Sequence, residues 1–142
     1  MRRRALALSL LAVLPLATCG GITAPDLFIV ERSGSVPDAR LTLLVNEEGG
    51  VSCNGAAMRG GRKLKLSDAA LVEARAIQED LKEPASARLS LAPAPRSVLS
   101  YLVRDEDGTV RFSDNSPGQP AVLHRLALFV LQTSQRVCGL PL

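Results

Sequence analysis

The chain has no tryptophan, a single tyrosine (Tyr101) and three phenylalanines (Phe28, Phe112, Phe129) among 142 residues. Platforms that stack sugars or bases need exposed rings, so this scarcity argues against both kinds of ligand. Histidine is scarcer still, with His124 alone. A nucleophilic site needs a nucleophile, a base and an orienting acid. His124 lies between Leu123 and Arg125 in an apolar helical pattern, where a lone histidine is more often a packing or edge residue. No serine has the Gly-x-Ser-x-Gly surround of a nucleophile elbow. Carboxylates are plentiful, but no pair can be placed across a cleft from sequence. We expect no catalytic residues and no enzyme. Cys-x-x-Cys spacing and a second histidine are also missing, which weakens any metal or redox reading, so no cofactor and no metal is expected.

A real excess of positive charge is missing as well. Arg2, Arg3 and Arg4 account for the whole formal net charge of +3, and the remaining 14 basic residues balance 14 acidic ones. The basic isoelectric point therefore gives no support for nucleic-acid binding. Nor does any apolar run reach membrane-spanning length. The run Ala5 to Ala17 is too short to cross a hydrocarbon core of ~30 Å as a helix.

That short run, behind three arginines, has the n-region and h-region of an export signal. It closes on Leu16-Ala17-Thr18-Cys19-Gly20, which resembles the lipobox of bacterial lipoproteins, although Thr18 stands where a smaller residue is usual. The resemblance implies a signal peptide over residues 1–18 and acylation of Cys19. Residues 19–26 would then be a tether and 27–142 a single domain, held at the extracytoplasmic face of the membrane by its N-terminal lipid. Cleavage without lipidation, giving a secreted protein, is the alternative. One acyl chain binds bilayers only marginally, so stable anchoring needs several. With Cys19 acylated, Cys53 and Cys138 are left as an even pair in an exported chain, which reads as one disulfide. Closing a loop of about 85 residues would stabilise the domain by roughly 4 kcal/mol in the chain-entropy model.

Along the domain, Leu27 to Val30 reads as a first strand and Ser33 to Asp38 as a turn. Leu41 to Val45, a turn at Asn46 to Gly50, and Val51 to Cys53 make a hairpin with Leu41, Leu43 and Val45 on one side. The Gly-rich stretch 54–65 reads as a solvated loop. It carries the one marked charge cluster, Arg59, Arg62, Lys63 and Lys65, a possible contact for anionic headgroups or cell-wall polymers. Ser67 is a natural N-cap for a helix through Leu71, Ala74, Ile77, Gln78 and Leu81, which Pro84 is expected to stop. Residues 84–97 read as an extended crossover. Val98 to Val103 and Thr109 to Phe112 form a second hairpin about the acidic turn 105–108, which lacks the calcium-loop ligand pattern. Pro120 suits the first position of a broadly apolar helix over 121–137, ended by Gly139 and Pro141. Leu41-Thr42-Leu43-Leu44-Val45 and Leu99-Ser100-Tyr101-Leu102-Val103 echo one another, each ahead of an acidic turn, a return strand and a helix. The expected fold is α+β: two hairpin-helix units forming an antiparallel sheet of about five strands with two helices on one face.

Asp26-Leu27-Phe28, the Leu41 to Cys53 hairpin, Asp107-Gly108-Thr109-Val110 and Val137-Cys138-Gly139-Leu140 together resemble small exported actinobacterial proteins of unknown function. That resemblance implies no activity. A looser one is to subtilisin-inhibitor-like secreted proteins, whose two-disulfide framework is missing here. The expected function is a non-catalytic binding or structural domain of the cell envelope, with the membrane and an unidentified envelope protein or anionic polymer as partners. A secreted protease inhibitor is the alternative, presenting Arg88-Leu89 in the 84–97 segment.

Overall fold

In the computed structural model, which describes residues 24–141, β1 (Asp26–Gly34) is followed by the hairpin of β2 (Leu41–Asn46) and β3 (Val51–Cys53). A short hairpin of β4 (Met58–Arg59) and β5 (Arg62–Lys63) leads into α1 (Asp68–Ser86). The hairpin of β6 (Leu99–Arg104) and β7 (Thr109–Ser113) then leads into α2 (Ala121–Arg136). The expected signal segment 1–18 and Cys19 lie outside the described residues.

The main sheet has the order β3-β2-β1-β6-β7, antiparallel throughout, as an α+β fold. The echo between the two hairpins acquires a spatial meaning in this order. β2 and β6, which carry the matching pentapeptides, flank the central β1 on either side. Side chains alternate along each strand, so the register sets rows across the sheet. One row is Leu43, Val30, Val103 and Val110, all 0–1 % exposed. Each such side chain contributes about 1.5–3 kcal/mol of burial relative to exposure.

Both helices cover that face and cross it in opposite directions. α1 starts beside the β2–β3 turn, where Arg75 donates to the Glu47 carbonyl at 2.8 Å. It ends against the β6–β7 turn, where a Cβ on Gly108 would collide with the carbonyl of Ala85. Glycine is therefore required there for close approach. α2 sets out beyond β7 and returns to the end of β3, where Cys138 bonds Cys53 with Cα atoms 6.0 Å apart. Midway, Phe129 meets Phe28 of β1 edge-on at 5.9 Å. Each helix thus reaches from its own hairpin to the other, and one apolar cluster joins both helices to the five strands of the main sheet.

Four local expectations change. β1 runs through Gly34 rather than stopping at Val30, because β6 pairs with it as far as Gly34↔Leu99. The stretch 54–65 is not a featureless loop, for it holds the β4–β5 hairpin against β3. Pro84 lies inside α1 and does not stop it. It removes only the one N–H that would reach Asp80, and fully buried Ala85 holds the last turn on the core. Pro120 is the N-cap of α2 rather than its first residue, with extended backbone and no side-chain cap.

Both sheet edges are closed by the chain itself. On the β3 side, Val51 donates to the Leu64 carbonyl and Leu66 to that of Gly49. On the β7 side, Leu89 to Leu91 runs parallel to the strand and exchanges two bonds with Arg111, both 2.9 Å. No long unpaired edge is left there to recruit another strand.

Candidate functional site

The face opposite the helices is built from the alternate residues of the same strands. Two rows of side chains stand on it: Thr42, Glu31, Leu102 and Arg111, and beside them Ser33, Ser100 and Ser113. Between these rows runs the backbone of Leu41, Arg32, Tyr101 and Phe112, whose side chains turn to the core. The result is an open trench of about 810 Å³ crossing the strands, extended by Arg40 and walled at the β7 end by Leu91, Ala92 and Pro93.

The wall is fixed rather than draped. Asn115 accepts from the Ala94 N–H at 3.2 Å and donates to the Pro95 carbonyl at 3.0 Å. Asp114 accepts the Ser97 hydroxyl at 2.8 Å. Residues 84–97, expected as an extended crossover, therefore divide into the end of α1, a parallel partner of β7 and a pinned corner. Arg88 and Leu89 fall where that partner begins, with the Leu89 N–H donating to the Pro84 carbonyl and its carbonyl accepting from Arg111. They form no projecting loop.

Arg32 gives this end of the sheet its charge. It is 6 % exposed, yet its guanidinium meets only carbonyl oxygens, of Ala39 at 2.8 Å and Asp38 at 3.2 Å. No carboxylate of the described residues lies within bridging distance of Arg32, Arg40 or Arg111. A buried charge without a counter-charge is expensive and leaves a persistent local potential. Glu31, the acid in the trench lining, is paired with Arg104. Burial pushes the Tyr101 phenol above its ordinary value, with the nearby Arg32 charge opposing it in smaller measure. The ring stacks on Phe112 at 4.8 Å.

The basic stretch singled out in the sequence is split by the fold. Arg62 and Lys63 are exposed on β5, and exposed Lys65 bridges to Gly50. Arg59, directly opposite Arg62, instead donates to the Cys138 carbonyl at 2.9 Å and caps the end of α2. His124 is exposed on α2 and lines neither the trench nor a second concavity between the start of α1 and the end of α2. On the same helix pair, Arg125 holds Glu73 at 3.1 Å and Asp80 at 2.5 Å, and these two acids raise its already high pKa.

Asp105 gives no sign of its surroundings in the sequence, where it is one acid of an acidic turn. One carboxylate oxygen accepts the N–H groups of Asp107 and Gly108, both at 2.9 Å. The other is buried with no hydrogen-bond partner among the described residues, and burial raises the Asp105 pKa. Among the described residues no three His, Cys, Asp or Glu side chains are grouped to hold a metal ion, and no helix is long and apolar enough to cross a membrane. No protein-family model, curated protein or solved structure matches the chain.

Proposed function

We propose that the chain is a cell-envelope lipoprotein, tethered through acylated Cys19 to the outer face of the membrane, whose domain binds a ligand without transforming it. The trench carries this reading: an open surface that sets guanidinium and hydroxyl groups beside an apolar wall of Leu91, Ala92 and Pro93, and that His124 does not line. The domain that carries it is held by one disulfide and two closed sheet edges, which suit display outside the cell. The inhibitor alternative draws no support from Arg88-Leu89, where the Arg88 N–H is bonded to the end of α1 and the Leu89 carbonyl to the β7 edge.

Two measurements test the proposal. Intact mass of the membrane-fraction protein should give Cys19 as an acylated N-terminus. An unmodified N-terminus beginning beyond Cys19 removes the anchor. Pull-down from solubilised cell envelopes with the full chain should retain a defined component. Retention of nothing above background removes the binding role.

A further inference from the structure

Resting on the binding-domain reading, we propose that the trench takes one chemical class of ligand: a linear polyol phosphate, an anionic hydroxylated chain laid across the strands. Arg40 and Arg111 stand at opposite ends of the trench with no acid among the described residues paired to them, and Arg32 beneath the floor adds a third cation without such a partner. β2 and β7 are three strand spacings apart, so the strand that Arg40 precedes and the strand that carries Arg111 lie about 14 Å apart across the sheet. Phosphates repeated along a chain meet both at once, and a guanidinium fork matches phosphate geometry.

The walls favour polyol over other polyanions. Ser33, Thr42 and Ser100 place hydroxyls on both sides of the trench, groups that donate to and accept from a hydroxylated backbone. An acidic peptide fits less well. It docks on sheets by adding a strand to a free edge, and here both edges are occupied and the trench runs across the strands. Neutral sugars lack their usual platform, because Phe28, Tyr101, Phe112 and Phe129 are all at most 6 % exposed.

The test is calorimetric titration of the full chain with poly(glycerol phosphate), with poly-glutamate and neutral dextran as comparison probes. Poly(glycerol phosphate) should bind, and more tightly than either. The double variant Arg40→Gln/Arg111→Gln should weaken it by about 100-fold, at about tenfold for each charge-assisted hydrogen bond removed. The variant Arg62→Gln/Lys63→Gln, on the exposed β5 strand, should stay within about twofold. Should the double variant fail to fold, each single variant still weakens binding tenfold in the same titration. An equal effect in the β5 variant moves the anion site to the hairpin and overturns the assignment, as does poly-glutamate binding as tightly. If the polymer is not bound while envelope pull-down still retains a component, the ligand class falls and the binding role stands. If neither occurs, both fall.

Discussion

The two faces of the sheet are made from the same strands and differ by one residue in phase. On the helix-covered face, Leu43, Val30, Val103 and Val110 are closed to water; on the other, Thr42, Glu31, Leu102 and Arg111 border a trench. The first set is chosen for volume and the second for chemistry, so stability and recognition occupy alternate positions of the same strands. The largest effects should therefore come from the inner face. Phe28→Ala deletes a fully buried ring that meets Phe129 and should cost about 3–5 kcal/mol, read as a lowered denaturation midpoint. A cost below about 1 kcal/mol would mean that this face is not the core.

Next in size is the covalent clasp. Reduction of Cys53–Cys138 frees the end of α2 from the end of β3, and in the chain-entropy model a separation of 85 residues makes this worth about 4 kcal/mol. Denaturant titration with and without reductant measures it. Because each helix spans from its own hairpin to the other, loosening this clasp should lower one cooperative transition. A separate early transition of one half would break the picture of helices that each span both hairpins.

Arg59 is the same clasp on a smaller scale. Arg59→Ala removes a charged donor from the Cys138 carbonyl and should cost about 1–2 kcal/mol. Arg62→Ala, on the paired strand, should change stability by less than about 0.5 kcal/mol. Equal costs would return both arginines to the role of interchangeable surface charges.

These contrasts mark what was legible in the sequence. Leu41, Leu43 and Val45 announce their face by alternation, and the parity of Cys53 and Cys138 announces their bond. The β4–β5 hairpin does not announce itself. Its strands are two residues each, too short for any period, and adjoining β3 stabilises them. Pro84 misleads because it stands in the last turn of α1, two residues from its end, where one lost N–H bond does not break the helix and the rest of α1 is already packed on the core. Arg59 gives no signal either, since its partner is 79 residues away. The trench is the clearest case. Thr42, Glu31, Leu102 and Arg111 become neighbours only through strand order and register, which no stretch of the chain states by itself.

Asp105 tests the rim of the covered face by pH. Its folded-state pKa is raised by burial, so the folded protein holds a proton at pH values where the unfolded chain has released it. Stability should then fall as pH rises from the ordinary aspartate value of 3.8 through the raised one, and be flat with respect to this group above that. Asp105→Asn should flatten that slope in denaturant titrations run at successive pH values. An unchanged slope would assign the pH dependence to other carboxylates.

The smallest effect is expected one residue from one of the largest. Arg111 and Phe112 are neighbours in β7, but Arg111 is exposed and Phe112 is 3 % exposed against Tyr101. What Arg111 gives the fold is its backbone, which donates to Leu89 and accepts from Leu91. Arg111→Gln leaves those bonds and the edge closure intact, and it removes a side chain with no carboxylate partner among the described residues. Stability should change by less than about 0.5 kcal/mol, while Phe112→Ala should cost about 3–5 kcal/mol. Paired thermal or denaturant melts of the two variants decide it. If Arg111→Gln costs more than about 2 kcal/mol, the guanidinium is part of the fold, and the outer face cannot be treated as a surface free to serve a ligand.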